Sequence, residues 1–129
     1  MAKLGDVISG KVVAVAPTAT VAEGAQAMVR ARVGSAVVID GPWLVGIFTE
    51  RDALRAAAEG LDPTVAVVED WMTKDPMAVG PETDTEEAAA IMATHGFRHL
   101  PVVRGDAVVG VVSLRDVLSA RIRRPSASS

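Results

Sequence analysis

Two short stretches of the sequence present a hydroxyl side chain, an arginine and an aspartate in the same order. Residues 46–52, GIFTERD, return as residues 110–116, GVVSLRD, at an offset of 110 − 46 = 64. Each stretch predicts a short apolar strand that leads into a helix. The hydroxyl and the carboxylate can form a capping box at the start of that helix. The same position can bind an anion, because a helix N-terminus presents unpaired N–H groups and the positive end of its dipole.

The repetition bears on the choice between these two interpretations. Either stretch taken singly favours the cap, which needs only the hydroxyl and the acid. A cap does not need Gly46 and Arg51, yet their equivalents return as Gly110 and Arg115. The repeat therefore favours a ligand role for at least one copy, and the aspartate could still perform both tasks.

The composition excludes several classes of function. The chain has 129 residues, half of them hydrophobic, which suits one domain or one closely packed pair of small ones. It has no cysteine, which excludes disulfides, thiolate metal sites and cysteine nucleophiles. No apolar run approaches the ~18 residues of a membrane span, and no signal peptide is evident, so we expect a cytoplasmic protein. A net charge of −3 argues against a nucleic-acid-binding face.

The elements that must position these residues are predicted from start signals and periodicity. A buried strand is expected over residues 11–16, and Thr20 with Glu23 carries a capping signature for a helix that Gly34 stops. The apolar face of that helix is predicted to contain Val21, Ala25, Met28 and Val29. The next elements are a hairpin formed by residues 36–39 and 43–48, and a helix over residues 50–59.

The second half repeats this order of elements. Residues 77–79 replace the first strand, and residues 84–87 carry a second capping signature. Residues 100–103 match residues 36–39, and a final helix is expected over residues 114–121. The face of the intervening helix, which Gly96 ends, is predicted to contain Ala88, Ile91, Met92 and His95.

The organisation that follows is an α+β fold of two β-α-β-β-α repeats, residues 1–62 and 63–129, with a flexible tail at 125–129. A unit of roughly 55 residues buries too little apolar area to be stable alone. We therefore expect the repeats to pack sheet to sheet with pseudo-two-fold symmetry, which would bring residues 49–52 and 113–116 to a shared cleft.

The chain resembles a free-standing tandem CBS domain pair, also called a Bateman module. The resemblance is carried by four segments in fixed register: VGIFTERD at 45–52, WMTKDP at 71–76, FRHLPVV at 97–103 and VGVVSLRD at 109–116. It implies a regulatory module that binds an adenine nucleotide (AMP, ADP or ATP) or an S-adenosylmethionine-type ligand in the clefts between repeats. It also implies a homodimer, a role in energy sensing, no required cofactor and no metal.

The resemblance further implies a role for individual residues. Asp52 and Asp116 would accept hydrogen bonds from the two hydroxyls of a ribose, and Thr49 and Ser113 would donate to ribose or phosphate oxygens. The positions that would place positive charge near a phosphate are Arg51, Arg115, Arg98 and His99. The positions that would line an adenine are Val13 for the cleft ending in Asp116, and Thr73 and Met77 for the cleft ending in Asp52.

The two clefts are not expected to be equivalent. Gly34 and Ser35 stand where the second repeat has Arg98 and His99, so the first repeat lacks the basic pair. The Asp116 cleft is therefore predicted to be the better phosphate site.

The sequence bears on three classes of function. The first is a ligand-sensing module that acts on an unidentified partner protein, with no membrane or nucleic-acid partner. The alternative is a ligand-independent dimerisation or interaction scaffold, in which the aspartates only cap helices. An enzyme is disfavoured, because the chain shows no nucleophile–base–orienter set and no Walker-type loop.

Overall fold

The computed structural model describes residues 2–8 and 12–119, which divide into two compact units. Val12–Pro76 forms one unit, called here the Asp52 unit. Residues 2–8 and 77–119 form the other, called here the Asp116 unit. The tail at 125–129 and the end of the predicted final helix lie outside the described residues, although residues 114–119 are helical as expected.

The elements confirm a mixed α+β chain in which one pattern occurs twice. The helices are α1 (Leu4–Val7), α2 (Val21–Ala31), α3 (Glu50–Ala58) and α4 (Thr85–His95), with a 3₁₀ turn at Val68–Asp70 and the helical residues 114–119 at the end of the described part of the chain. The strands are β1 (Ala14–Val15), β2 (Ser35–Asp40), β3 (Trp43–Thr49), β4 (Thr73–Lys74), β5 (His99–Arg104) and β6 (Ala107–Ser113).

The sheets are built on two matching hairpins. In the Asp52 unit the strand order is β1-β2-β3-β4, with β1 parallel to β2 and the other pairs antiparallel. In the Asp116 unit β5 and β6 form an antiparallel pair. Both hairpin turns contain a glycine in the left-handed region, Gly41 at φ 61° and Gly105 at φ 60°, and the two glycines stand 64 positions apart in the sequence.

The predicted first strands are shorter than expected. The strand expected over residues 11–16 is observed only as β1, with residue 11 outside the described part of the chain. The strand expected at 77–79 is reduced to one parallel bridge between Val79 and Val102. In each case the edge strand makes few ladder hydrogen bonds, because the hairpin supplies most of the sheet.

The helix α2 begins as predicted but ends differently. The Thr20 side chain accepts from the N–H of Glu23, and Glu23 accepts from the N–H of Thr20, which completes the capping box. The predicted stop at Gly34 is wrong, since Arg32 takes the left-handed conformation at φ 59° and ends the helix earlier. The prediction that Val29 lies on the apolar face is also wrong, because Val29 is 77% exposed and Gly24 is buried instead.

The helix α4 departs from its predicted cap. Asp84 precedes the helix but its side chain makes no capping hydrogen bond; instead its Oδ1 lies 2.8 Å from Lys3 Nζ. His95 is exposed rather than part of the buried face, and its Nδ1 lies 3.0 Å from the Ile91 carbonyl oxygen. The predicted end at Gly96 is confirmed, at φ 77°.

Each unit has its own apolar core, and the two cores include a pair of residues that stand 64 positions apart in the sequence. Leu4 is fully buried in the Asp116 unit with Ala88, Met92 and Leu100. Val68, 64 positions later, is fully buried in the Asp52 unit. The boundaries of the two compact units therefore differ from those of the sequence repeats. The predicted repeat boundary between residues 62 and 63 stays a prediction.

Candidate functional site

The first repeated stretch forms a complete capping box at the end of β3. Thr49 is the N-cap of α3, and its hydroxyl accepts from the N–H of Asp52 at 3.3 Å. In return Asp52 Oδ2 accepts from the Thr49 N–H at 2.9 Å and from the Thr49 hydroxyl at 3.1 Å. The side chain of Asp52 is only 8% exposed. This carboxylate is therefore fixed by its own helix, as the capping interpretation predicts.

The other oxygen of Asp52 is engaged by an arginine that the sequence reasoning did not single out. Arg55 Nη1 donates to Asp52 Oδ1 at 3.0 Å, one turn along α3. The Arg55 guanidinium carbon also lies 5.5 Å from the centroid of a Trp71 ring, in a cation–π contact. Spacing could have suggested this pair, because residues three apart on a helix share a face. The contact with Trp71 has no such local signal.

The second repeated stretch forms the same hydrogen-bonded loop without the arginine. Asp116 Oδ2 accepts from the Ser113 N–H at 3.2 Å, and the Ser113 hydroxyl accepts from the Asp116 N–H at 3.0 Å. Asp116 is partly exposed, whereas Asp52 is buried. The position that matches Arg55 is Ser119, since 55 + 64 = 119. The two junctions thus share a cap and differ in the residue one turn later, Arg55 in the first and Ser119 in the second.

The basic pair of the second repeat lies beside this junction. His99 begins β5 and is the register partner of Ser113 at the end of β6. The Arg98 carbonyl oxygen accepts from the N–H of Leu114 at 2.8 Å. Arg98 is exposed and His99 is half-buried. In the Asp52 unit the corresponding partner of Thr49 is Ser35, which is buried and neutral.

The remaining predicted site residues fall in both units. Arg51 and Arg115 are exposed in the first turn after their junctions. Val13 and Thr73 belong to the Asp52 unit, and Met77, 40% exposed, belongs to the Asp116 unit. The predicted pairings of Val13 with Asp116 and of Met77 with Asp52 stay predictions.

The repeated glycines have a packing explanation, which corrects their use as a sign of a ligand. A Cβ added at Gly46 would collide with the side chain of Met72 and lie 3.0 Å from the Thr73 carbonyl oxygen. A Cβ added at Gly110 would lie 2.8 Å from Ile8 Cδ1. Close approach of a neighbouring segment therefore requires glycine at both positions.

Two kinds of site are not found in the part of the chain described here. Among residues 2–8 and 12–119, no group of three or more histidine, cysteine, aspartate or glutamate side chains could hold a metal ion. Within the same residues, no helix has the length and apolar character needed to cross a membrane.

Comparison with known proteins decides the family. The CBS domain family matches residues 4–59 and again residues 68–123, the same 64-residue offset as the two junctions. The chain belongs to the CBS domain family. Both matches include their junction aspartate, and CBS pair proteins are regulatory modules.

Individual relatives cover most of this CBS protein. A 17.7 kDa protein of Acidianus ambivalens is 40% identical over 92% of this chain and 72% of its own length. The crystal structure of a CBS-domain-containing protein of Agrobacterium tumefaciens, 31% identical, superposes with a TM-score of 0.84 over 92% of this chain and 98% of that one. The CBS domain pair of protein MJ0100, solved with 5′-methylthioadenosine and S-adenosyl-L-methionine, has a TM-score of 0.84 over 92% of this chain and 98% of its own, at 21% identity.

Proposed function

We propose that this CBS protein is a non-catalytic regulatory module that binds an adenine nucleotide or an adenosyl ligand at the Asp116 junction and acts on a partner protein. The observation that carries the proposal is the difference between the two aspartates. Asp52 holds a charged guanidinium on one oxygen, whereas the position of that arginine is a serine in the second repeat. Asp116 therefore retains more acceptor capacity for a ligand.

The cap and the ligand role are chemically compatible at Asp116. An ionised carboxylate has about four acceptor sites on its two oxygens. The Ser113 N–H uses one of them on Oδ2. The vicinal hydroxyls of a ribose can donate to the others, and the cap holds the carboxylate in one orientation before the ligand arrives.

Cationic groups of the same unit support an anionic ligand. Arg98 and Arg115 are exposed, and both lie within two residues of Ser113 or of its register partner His99. Arginine recognises phosphate through a planar fork of N–H donors. These residues favour a phosphorylated adenosine, and the aspartate favours the ribose.

The structural relative that carries 5′-methylthioadenosine and S-adenosyl-L-methionine supports the ligand class by its fold. The choice among AMP, ADP, ATP and S-adenosylmethionine, the energy-sensing role, the cytoplasmic location and the homodimer remain proposals. The location of the ligand in a cleft between the repeats is part of the same proposal.

A thermal-shift panel of AMP, ADP, ATP, NAD and S-adenosylmethionine tests the function. A ligand at about 100 times its Kd stabilises the folded state by about 2.7 kcal/mol, which raises Tm. Asp116→Asn should remove the shift, because the carboxylate loses its charge and one of its acceptor oxygens. The helix cap should remain, because the amide oxygen can still accept from the Ser113 N–H. Asp106→Asn, in an exposed hairpin turn of the same unit, is the matched control and should keep the shift.

The alternative is a ligand-independent interaction scaffold. The complete capping boxes favour it, since each aspartate already has a structural task. If no member of the panel shifts Tm, the scaffold is the better explanation. Sedimentation at micromolar concentration tests the dimer for either function, and a monomer would contradict it.

A further inference from the structure

The strongest asymmetry between the junctions is a three-residue contact that only the Asp52 unit contains. Asp52, Arg55 and Trp71 are linked by a salt bridge of 3.0 Å and a cation–π contact of 5.5 Å. The positions that match Arg55 and Trp71 in the other repeat are Ser119 and Val7, at the same offset of 64. Neither replacement carries a charge or an aromatic ring.

We propose that Arg55 is a specificity-determining residue that keeps the Asp52 carboxylate closed to a ribose diol, so that the chain binds one nucleotide, at Asp116. This inference rests on the proposed function. We call the contact among Asp52, Arg55 and Trp71 the Arg55 latch.

The latch is stable for a physical reason. Ribose hydroxyls that displace Arg55 replace one charge-assisted hydrogen bond with others of the same class, and they lose the attraction between the opposite charges of Arg55 and Asp52. Asp52 is nearly buried, and its charge therefore needs a partner more than an exposed carboxylate does. Trp71 is half-buried against the core of the unit and gives the guanidinium a second contact in the same position.

Thr49 and Arg55 together use three of the about four acceptor sites of the Asp52 carboxylate, which leaves about one for a diol that has two hydroxyls to donate. Oδ2 accepts from the backbone and hydroxyl of Thr49, and Oδ1 accepts from Arg55. A ribose placed here would meet a carboxylate that is already paired with a guanidinium. At Asp116 the matching position is a serine, and among residues 2–8 and 12–119 no salt bridge to Asp116 is found, so a ligand displaces no charged partner from that part of the chain.

The experiment counts binding sites by isothermal titration calorimetry, with AMP and, separately, S-adenosylmethionine as probes. The wild-type protein should bind one probe molecule per chain, and Asp116→Asn should abolish binding. Arg55→Ser, which places the residue of the second repeat in the first, should bind two. The affinity of the Asp52 site for the probe should be about tenfold or more higher in Arg55→Ser than in the wild type, because one competing charged hydrogen bond is removed.

Further variants keep the result interpretable. Arg55→Gln retains the length of the side chain without its charge and should also yield two sites. Asp52→Asn in the Arg55→Ser background should remove the new site alone. Arg30→Ser, an exposed arginine at the end of α2, is the matched control and should leave one site.

The outcomes separate the latch from the proposed function. Two sites in the wild type, or one site in both wild type and the Arg55 variants, overturn the latch and leave the function standing. Weaker binding in the Arg55 variants also overturns it, because Arg55 would then contact the ligand. If the wild type binds no probe and Arg55→Ser binds one at Asp52, the result overturns the assignment of the ligand to Asp116 and supports the latch. No binding by any variant overturns both.

Discussion

The Asp52 and Asp116 units begin from the same repeated sequence pattern and reach different local chemistry. Both contain a hairpin with a glycine in its turn, followed by a helix that a hydroxyl residue and an aspartate cap. In the Asp52 unit a buried aspartate forms a salt bridge with Arg55, and in the Asp116 unit a partly exposed aspartate has Arg98 and His99 nearby. The comparison shows that a repeated motif determines the cap, whereas a single position one turn later determines what the carboxylate can still bind.

The largest expected effect concerns Leu4, a fully buried residue in the core of the Asp116 unit. Leu4→Ala should lower the free energy of unfolding by about 2–5 kcal/mol, because Leu4 is fully buried in the Asp116 unit and its loss leaves a cavity. Urea denaturation measures the change. Leu54→Ala, the same substitution at a 68% exposed position of α3, should stay within about 0.5 kcal/mol. Equal costs for the two variants would contradict the burial of Leu4.

The next effect compares the two junction glycines. Gly46→Ala should cost about 1–3 kcal/mol, because the added methyl group meets both the Met72 side chain and the Thr73 backbone oxygen. Gly110→Ala should cost less, since only side-chain atoms of Ile8 must move. Denaturation of the two variants under one condition gives the order. A greater cost at Gly110 would show that the packing of the two segments is not as described.

A smaller effect concerns the first residue of each long helix. The Thr85 hydroxyl is fully buried with no hydrogen-bond partner in the described residues, and the matching position, 85 − 64 = 21, is Val21. Thr85→Val should therefore raise the free energy of unfolding by about 1 kcal/mol, because an unsatisfied buried hydroxyl costs about 1–3 kcal/mol. Val21→Thr should destabilise the Asp52 unit for the same reason. Destabilisation by Thr85→Val would mean that the hydroxyl has a partner in solution.

The smallest effects are two exposed contacts with opposite dependence on pH. The hydrogen bond and charge of Asp84 raise the pKa of Lys3 above its ordinary value of 10.5, so this contact stabilises below that value and is lost as pH rises through the raised pKa. Hydrogen bonds from the hydroxyl and N–H of Thr64 lower the pKa of Asp62 below 3.8, so that contact stabilises above this value and is lost as pH falls through the lowered pKa.

NMR titration of the two side chains measures both shifts. Thr64→Ala removes only the hydroxyl, so the pKa of Asp62 should return part of the way to its ordinary value while the backbone hydrogen bond remains. Asp84→Asn should lower the pKa of Lys3 toward its own ordinary value. A Lys3 titration that Asp84→Asn leaves unchanged would show that the ion pair at the start of α4 does not form in solution.

Local sequence signals predicted the parts of the fold that depend on neighbours along the chain. The Thr20 capping box, the two hairpins with Gly41 and Gly105, and the helix stop at Gly96 are confirmed. Signals of the same kind were wrong at Gly34 and at the Asp84 cap. In the second case Lys3, 81 positions away in the chain, binds the aspartate that a local pattern assigns to its helix.

The sequence by itself determined the doubled α+β pattern and the family, because the same motifs return at an offset of 64 residues. It also determined where α2, α3 and α4 begin, because their start signals lie within a few residues, whereas α1 was not predicted. Only the tertiary structure decided that Leu4 and Val68 complete the cores of their units, that Gly46 and Gly110 accommodate neighbouring side chains, and that Trp71 holds Arg55 at Asp52. These are contacts between residues that are mostly distant in sequence, and burial and packing density, rather than local propensity, determine them.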